Sequence, residues 1–453
     1  MTRFEARLRA SGMSATESSA KAALFERLNY ELGLLRSGDP RPYSAFFAPG
    51  RIEFLGKHTD YAGGRSIICA IERGICLVAA PRSDAQVRIR DAGRDSSVDF
   101  ALSADLRPTT GHWSNFPITV AARLVRDFPE VRTGADIVFT SDLPRASGMS
   151  SSSALIVAIF FALAQVNSLS QTAVYRRALP TREDLAGYIA SIESGGSFSS
   201  FPGGHGVGTQ GGSEDHVAIL CSRAGCLRQY SYCPIRREKE IRLPEQHAFV
   251  IAVSGVKADK TGEAREAYNR VSGAARKILQ LWRSAGSFSQ SASNDSSLGA
   301  LLASRPRAWE ELHEVLSHSH DAEYSKEVLL NRLQQFHEES NEIVPGAAGH
   351  LELADLERLG VLVDRSQSLA ETHLVNQVPE TIMLARSARQ LGAVSASAFG
   401  AGFGGSVWAL VNASCAEEFR ASWAAQYHER FPVRAEASRF FLGAPGPGLV
   451  QFA

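Results

Sequence analysis

A serine-rich loop from Leu143 to Ser153 has the composition best suited to chemistry. It reads LPRASGMSSSS and precedes the apolar run 154–164, which has the length of a buried helix. Small side chains let backbone N–H groups approach an anion, and a helix N-terminus favours negative charge. The loop therefore predicts a phosphate site with hydroxyls available for Mg²⁺, and an ordinary serine N-cap is the alternative. The pattern GxxxxGK[ST] is absent, which excludes a P-loop.

A second glycine-rich segment, Gly400 to Gly405, matches the pattern GxGxxG of dinucleotide sites. That fingerprint follows a strand and opens a helix, whereas here the strand-like run SVWALV comes after the glycines. The order of elements argues against a dinucleotide site. Close packing of this backbone against a ligand or a neighbouring loop is the better interpretation, and a tight glycine turn is the alternative.

Two carboxylates lie in patterns that suit a ligand. Glu193 falls four and eight residues after Ile189 and Leu185, so its carboxylate shares the apolar face of a helix predicted over 181–193. A carboxylate on that face binds a metal ion, forms a salt bridge or lies at a frayed helix end. Asp215 follows a glycine-rich approach in GGSEDH, and it either faces a ligand or caps a helix.

The segment GRIEFLGKHTDY combines a strand with a polar turn. Alternation places Arg51 on the polar face of the strand, and the turn then presents Lys57, His58 and Asp60. This set suits a polyhydroxylated ligand, although a solvated hairpin tip has the same composition. A second His or Cys at ligand spacing is absent, which argues against zinc.

The order of the strands and helices that must position these residues predicts two α+β units. Two strands joined by the polar turn come first, and the buried helix follows the serine loop. The apolar run HAFVIAVSG begins a new layer near residue 240. Further helical patterns lie at roughly 305–340, 350–370, 379–391 and 414–428. Because strands and helices do not alternate regularly, we expect two α+β domains, 1–240 and 241–453.

Composition excludes several functional classes. The 453 residues carry 48 basic and 48 acidic side chains, so no net charge is available to hold a nucleic acid or an anionic membrane. The longest apolar run has 11 residues, whereas a membrane span needs about 20. Six scattered cysteines without a CxxC pair fit a reducing compartment. We expect a cytoplasmic protein that binds small molecules, with no nucleic-acid or membrane partner.

Taken in order, these segments resemble the three motifs of the GHMP small-molecule kinases. The first is similar to the galactokinase signature GRxNLIGEHTDYxGG, and LPRASGMSSSSAL resembles the second motif, LPxGxGLSSSAxL. FGAGFGGSV is similar to the third motif, TGxGFGGxV, and WSNF at 113–116 resembles the element WxNY. The resemblance covers roughly residues 25–450.

This resemblance implies a two-domain α+β fold with the active site between the domains. The N-terminal domain would have the ribosomal-protein-S5-like form and the C-terminal domain the ferredoxin-like form. ATP would phosphorylate the anomeric hydroxyl of galactose or of a related hexose or hexuronic acid, with Mg²⁺ as cofactor. The resemblance is compatible with a monomer.

Matched position by position, the resemblance also assigns roles to residues. Asp215 would be the catalytic carboxylate facing the sugar hydroxyl, with Arg51 beside it, and Ser152 and Glu193 would hold Mg²⁺. The sugar-binding residues would be Lys57, His58, Asp60, Gly212 and Tyr268. The ATP-binding residues would be Trp113, Ala146, Ser147, Gly148, Met149, Ser150, Ser151 and Ser152.

The departures from the family pattern concern the substrate. Lys57 replaces a Glu of the first motif and Glu53 replaces its Asn. An ammonium at this position predicts a sugar with a carboxylate, such as a uronic acid, unless Lys57 pairs with Glu53 or Glu214. The segment between Glu193 and Asp215 is longer than in the galactokinase pattern, and it would form a lid over the sugar or alter the pocket.

Two other functions are compatible with the same motifs. A catalytically silent sugar and ATP sensor needs the shape of the pocket but not the full phosphoryl-transfer set, so retention of Arg51, Ser152, Glu193 and Asp215 argues against it. A GHMP kinase for a non-sugar alcohol is opposed by HTDY and WSNF, which resemble the sugar branch.

Overall fold

The computed structural model describes residues 1–36, 42–109, 112–144, 147–257, 262–285 and 296–452, with the backbone alone for 262–264. Two β-sheets and the helices packed on them form the fold, which confirms the predicted α+β class.

The first sheet has nine strands, and only the β3–β5 pair among them is parallel. Its strands are β1 Ser44–Leu55, β2 Arg65–Pro81, β3 Gln86–Asp91, β4 Ser96–Ala101, β5 Ala135–Ser141, β6 Cys226–Ser231, β7 Arg236–Arg242, β12 Pro445–Gly446 and β13 Val450–Phe452. The main path runs β13-β1-β2-β5-β3-β4, while β12 and β6 pair with β2 and β7 pairs with β6.

The second sheet is antiparallel and has four strands. They are β8 His247–Val253, β9 Ser395–Phe399, β10 Ser406–Asn412 and β11 Arg439–Gly443. The order β11-β8-β10-β9 is 4-1-3-2 when the strands are counted along the chain. This order agrees with the ferredoxin-like form expected for the C-terminal domain.

The end of the chain differs from the predicted boundaries. After β11 the chain leaves the second sheet, and β12 and β13 pair with β2 and β1 of the first sheet. The segment 241–453 therefore contains strands of both sheets. Such short strands carry little signal of their own, because their pairing depends on partners far away in the chain.

The helices include those that the sequence predicts and others that it does not. They are α1 Arg3–Ala10, α2 Ala15–Leu35, α3 Asn115–Asp127, α4 Ser151–Val166, α5 Ala173–Ala178, α6 Arg182–Ser194, α7 Glu214–Cys221, α8 Gly262–Ser284, α9 Leu298–Ser304, α10 Ala308–His318, α11 Lys326–Glu338, α12 Val344–Glu352, α13 Leu356–Leu369, α14 Pro379–Gln390 and α15 Ala416–Arg430. Those that the sequence does not predict include α1, α2, α3 and α7. The pattern predicted over 305–340 is divided between α10 and α11, and Ser325 caps the second of these. Across the described ranges, no helix is both long and apolar enough to span a bilayer.

The local sequence explains why two helices at the site, α4 and α6, form where they do. Helix α4 is apolar on nearly all sides because it packs between the first sheet and neighbouring helices, so its buried residues include Leu155, Ile156 and Ile159. Helix α6 begins at a capping box, in which Thr181 and Asp184 exchange hydrogen bonds.

An apolar interface fixes the two sheets relative to each other. Phe54 of β1 stacks on Trp408 of β10 with ring centroids 4.3 Å apart, and Phe249 of β8 contacts both rings edge-on. One buried cluster contains these three residues together with Ile52 and Ile251. The strands on the two sides of the cleft between the sheets are therefore held at fixed positions relative to each other.

Candidate active site

Two adjoining cavities lie where the three sequence motifs meet. The smaller cavity encloses about 550 Å³ and the larger about 2410 Å³, both open to solvent. Arg51, Glu193, Thr209 and Ala401 line both cavities. A ligand in one cavity therefore meets a ligand in the other at these residues.

The smaller cavity collects the predicted catalytic and sugar-binding residues, with the exception of Lys57. Arg51 and His58 come from β1 and the turn after it, Asp215 from α7 and Tyr268 from α8. Asp60 and Gly212 complete the predicted set. Segments more than 200 residues apart thus form one polar pocket.

The ion pair of Arg51 and Asp215 lies at the junction of the cavities. Nε and Nη2 of Arg51 both lie 2.8 Å from Oδ1 of Asp215. The third guanidinium nitrogen, Nη1, donates to the carbonyl of Gly148 in the serine loop. Burial lowers the pKa of Arg51, but the nearby carboxylates of Asp215, Glu53 and Glu214 raise it above its ordinary value, so the side chain stays charged.

Helix α7 is held in place by Asp60. Oδ2 of Asp60 accepts a hydrogen bond of 2.9 Å from the backbone N–H of Glu214, the first residue of the helix. Gly212 makes this approach possible, because a Cβ there would lie 2.2 Å from the same oxygen. Asp60 thereby fixes the position from which Asp215 points into the cavity.

His58 and Tyr268 form the side of the smaller cavity opposite α7. Nδ1 of His58 lies 2.9 Å from the hydroxyl of Tyr61, and Nε2 lies 3.1 Å from the carbonyl of Ala401 in the glycine segment. The ring of Tyr268 is 5.4 Å from that of His58. Burial first, and then the charge of Asp60, raises the pKa of the Tyr268 hydroxyl, which therefore remains a neutral donor.

The larger cavity is bounded by the serine loop and by the WSNF segment. Ser147, Gly148 and Ser150 to Ser152 line it, as does Trp113. Ser151 and Ser152 open α4, so the N-terminal end of that helix faces the cavity. The serine loop, the N-terminus of α4 and the ring of Trp113 therefore lie around one cavity.

Of the predicted nucleotide-binding residues that the structure describes, Met149 does not line the larger cavity. Met149 is buried in the apolar cluster between the sheets, and its carbonyl accepts a hydrogen bond from the backbone N–H of Arg51. Its role is to position the loop by packing. Ala146 lies outside the described residues.

The glycine segment Gly400 to Gly405 packs closely on the serine loop, as predicted. A Cβ at Gly400 would lie 2.9 Å from the carbonyl of Gly148. Ser406, directly after the segment, donates a hydrogen bond of 2.6 Å to the carbonyl of Ser147. The glycines therefore bring the second sheet against the loop.

The residues predicted to hold Mg²⁺ come together in the larger cavity. Ser152 and Glu193 both line it, and a hydroxyl with one carboxylate suits an ion that takes its other ligands from water and phosphate oxygens. No cluster of three or more His, Cys, Asp or Glu in the described part of the chain is arranged as a metal site. The donor set therefore fits Mg²⁺ that arrives with a nucleotide.

Ser153 is a site residue that the sequence does not reveal. Its hydroxyl donates to Oε2 of Glu193 at 2.8 Å and lies 3.3 Å from Oδ2 of Asp215. It occupies a position where the family motif has Ala, and it is completely buried. Ser153 thus bridges the predicted metal ligand and the predicted catalytic carboxylate.

Other residues that line the cavities lie in no sequence motif that would have identified them. Thr209 lies between the two cavities, and Lys257 and Arg265 add positive charge to the larger one. They belong to loops or to a helix face that no motif marks. Only the folded chain brings them to the site.

The structure does not bring Lys57 to the sugar cavity. Its Nζ donates to Ser366 Oγ at 3.0 Å and to Ser397 Oγ at 2.7 Å, in the contact between the first turn and the second sheet. The side chain is 1% exposed and does not line the smaller cavity. This corrects the prediction of Lys57 as a substrate-binding residue, and with it the argument for a carboxylate on the sugar. Gly56, at φ 114°, redirects the backbone just before Lys57.

The long segment between Glu193 and Asp215 packs beside the larger cavity. The N–H of Val207 donates to the carbonyl of Glu193, and Gly206 to Gly208 line the cavity wall. Arg126 binds the carbonyl of Gly203 at 2.9 Å. The segment therefore forms part of the wall of the larger cavity, and its residues Thr209 and Gly212 also line the smaller one.

Comparison with known proteins agrees with this arrangement. Three family models match in chain order: the galactokinase galactose-binding signature at 36–81, the GHMP kinases N terminal domain at 115–198 and the GHMP kinases C terminal domain at 348–429. A galactokinase of Roseiflexus sp. (strain RS-1) is 27% identical over 86% of this chain and 88% of its own. One of Chloroflexus aggregans is 29% identical over 84% of this chain and 87% of its own.

A solved structure has the same fold. The galactokinase of Lactococcus lactis, determined in complex with galactose, superposes with a TM-score of 0.75 over 95% of this chain and 99% of its own, at 22% identity. This likeness shows the same fold, and the ordered family models and the relatives that match over most of their length support a GHMP, galactokinase-like kinase.

Proposed function

We propose that the chain transfers the γ-phosphoryl group of ATP to the anomeric hydroxyl of a hexose and releases ADP and the sugar 1-phosphate. The observation that carries this proposal is the Arg51–Asp215 pair at the junction of two cavities, one lined by the serine loop and the other by polar side chains. The names of the relatives make galactose the first sugar to test.

The nucleotide is proposed to occupy the larger cavity. Its base would pack near Trp113, and its phosphates would lie against the N-terminus of α4 and the hydroxyls of Ser151 and Ser152. Lys257 and Arg265 supply further positive charge. Mg²⁺, held by Ser152 and Glu193, would neutralise charge on the phosphate oxygens.

The acceptor is proposed to lie in the smaller cavity with its anomeric hydroxyl against Asp215. His58, Asp60 and Tyr268 would bind the other hydroxyls. Asp215 orients the acceptor oxygen in line with the phosphoryl group and receives its proton as the new P–O bond forms. Arg51 keeps the carboxylate ionised and stabilises charge on the transferring group.

The direct test measures ADP release from ATP and Mg²⁺ with galactose, arabinose, galacturonate and glucuronate as acceptors. We expect turnover with at least one hexose and none without a sugar. Sugar binding, seen as a rise in melting temperature, without ADP release on any acceptor would contradict the kinase and favour a sensor. Because Lys57 lies away from the cavity, we expect the two uronic acids to be poor acceptors.

A further inference from the structure

Helix α11 holds the polar turn that carries His58 and Asp60. Gln335 of this helix donates a hydrogen bond of 3.0 Å to the carbonyl of Lys57, and Arg332 donates to the carbonyl of His58. Arg332 is 274 residues away from His58 in the chain, lies in none of the sequence motifs and lines neither cavity. The roles proposed above leave its contact with the turn unexplained.

Arg332 is a buried cation whose donors are directed to the turn. The residue is 2% exposed. Nη1 donates to the side chain of Gln335, while Nη2 donates to the carbonyl of His58 and, at 3.3 Å, to the hydroxyl of Tyr61. A buried charge is costly unless hydrogen bonds compensate it. Arg332 and the turn therefore depend on each other for their positions.

The backbone of His58 adopts a conformation that needs support. Its φ is 59°, in the left-handed region that residues other than glycine adopt infrequently. Such a conformation persists where the surrounding structure fixes it. Arg332 fixes the carbonyl side, and Glu339, directly after α11, accepts hydrogen bonds of 2.8 and 3.3 Å from the N–H groups of Gly56 and Lys57. The end of α11 thus determines the path of the turn.

The ring of His58 is fixed by the same cation through Tyr61. Since an arginine can only donate, its contact uses a lone pair of the Tyr61 hydroxyl oxygen. Burial raises the pKa of Tyr61 to about 12 against the opposing charge of Arg332, so the hydroxyl keeps its proton and donates it to Nδ1 of His58 at 2.9 Å. Nε2 faces the carbonyl of Ala401 at 3.1 Å, and a carbonyl only accepts. These partners assign the neutral tautomer of His58 that carries its hydrogen on Nε2.

This tautomer joins the smaller cavity to the glycine segment. Ala401 lines both cavities, and the Nε2–H of His58 holds its carbonyl. A sugar hydroxyl that binds the ring must replace either Tyr61 or this carbonyl, and at Nδ1 it must act as the donor. The hydrogen-bonding character of this part of the cavity wall therefore depends on Arg332.

We propose that Arg332 is a positioning residue for the sugar: it holds the left-handed backbone of His58 and, through Tyr61, fixes the ring in the Nε2–H tautomer. The proposal rests on the sugar-kinase function above and deepens it, because it identifies a residue outside the motifs that controls the affinity for the acceptor. The contacts lie on the sugar side of the junction, so they bear on KM for the sugar and not on ATP binding.

The kinetic test replaces Arg332 by methionine, which keeps an apolar side chain of similar length and removes every donor. We expect KM for the best sugar of the panel to rise by about tenfold or more, with kcat changed less than about threefold and Kd for ATP less than about twofold. Arg389→Met is the matched control, because Arg389 donates to the carbonyls of Ala393 and Val394 just before β9. It should also lower the melting temperature, but leave KM unaltered.

A second variant separates the ring from the backbone. Tyr61→Phe removes the hydroxyl between Arg332 and the ring, while the contact of Arg332 with the His58 carbonyl stays. We expect a smaller rise in KM, by about threefold. If Arg332→Met does not fold, this variant and the spectrum described next decide the question.

The tautomer itself is measured by ¹⁵N NMR of the full chain labelled at histidine, since protonated and unprotonated ring nitrogens differ in chemical shift. His58→Gln identifies the signals. At about pH 8, above the ordinary pKa of histidine, we expect hydrogen on Nε2 and none on Nδ1 in the wild type. In Tyr61→Phe we expect a mixture of both tautomers.

The outcomes distinguish this inference from the proposed function. Hydrogen on Nδ1 of His58, or a rise in KM in Arg332→Met no larger than in Arg389→Met, would overturn the role of Arg332 and leave the kinase intact. An absence of ADP release with every sugar would overturn the kinase, whereas the spectrum would still show the Nε2–H tautomer.

Discussion

At the scale of single residues, the central feature is the pair of Arg51 and Asp215. The guanidinium contacts the carboxylate through two nitrogens and the serine loop through the third, so it connects the two cavities directly. Ser153 holds the other carboxylate oxygen. Asp215 is therefore oriented from both sides before a sugar enters.

The first prediction concerns this carboxylate. Asp215→Asn keeps the shape of the side chain but removes its negative charge and its ability to accept a proton. We expect kcat to fall by about a thousandfold or more, because the asparagine can still position the sugar hydroxyl but cannot accept its proton. ADP release measures kcat, and a fluorescent nucleotide titration should give an almost unchanged Kd for ATP. Near-normal turnover would remove Asp215 from the mechanism.

The second prediction concerns Lys57. Its ammonium donates to two buried hydroxyls, so Lys57→Met leaves Ser366 and Ser397 without that donor. We expect a loss of stability of about 1–3 kcal/mol in denaturant unfolding and no change in the ranking of sugars. Lys239→Met, which removes an exposed lysine paired with Glu352, is the control and should cost less than about 1 kcal/mol. A changed sugar ranking would return Lys57 to the substrate site.

Residues illustrate what the sequence can and cannot predict. The family resemblance assigns roles to Arg51, His58, Asp60 and Asp215, and the structure brings these four residues into one cavity. The direction of Lys57 could not be predicted, because it depends on a backbone reversal at Gly56 and on partners some 300 residues away.

At the scale of elements, the close approach of backbone segments determines the geometry of the site. Helix α7 presents Asp215 because Asp60 accepts from its first N–H, and Gly212 leaves the space for that contact. The serine loop is held in the same way by the glycine segment and by Ser406. Several of the helices were predictable from apolar periodicity and capping residues, whereas these contacts join loops and leave no period in the sequence.

The third prediction tests the contact at α7. In Gly212→Ala the new Cβ would lie 2.2 Å from Oδ2 of Asp60, so the carboxylate or the helix must move. We expect kcat/KM for the sugar to fall at least tenfold. Gly349→Ala in α12 is the control, because a Cβ there meets nothing within 4 Å, and helix propensity favours alanine. Equal activity of the two variants would show that the position of α7 does not depend on Gly212.

At the scale of the whole molecule, the two sheets are joined both by side-chain packing and by the path of the chain. The apolar cluster of Phe54, Phe249 and Trp408 joins them through the core, and the chain end returns from β11 to pair with β1 and β2. The sequence predicted two α+β units but assigned this end to the second. Strands of two and three residues have too little pattern to be assigned before their partners are known.

The fourth prediction concerns that returning segment. The ring of Phe452 lies 5.1 Å from Phe4 and 4.8 Å from Phe25, in the core beneath the first sheet. Phe452→Ala should reduce the free energy of unfolding by about 3–5 kcal/mol, as large-to-small core changes do. Gln451→Ala, the exposed neighbour on the same strand, should change it by less than about 0.5 kcal/mol. Similar values for both variants would mean that the segment does not contribute to the core.

The identity of the reaction product tests the whole account most directly. The chain, ATP, Mg²⁺ and the best sugar of the panel are incubated, and the product is examined by ³¹P and ¹H NMR. We predict a phosphomonoester whose phosphorus couples to the anomeric proton, formed in equal amount to ADP, and formed about a thousandfold more slowly by Asp215→Asn. Phosphate on any other carbon, or formation of this product by the Asp215 variant at the wild-type rate, would contradict it.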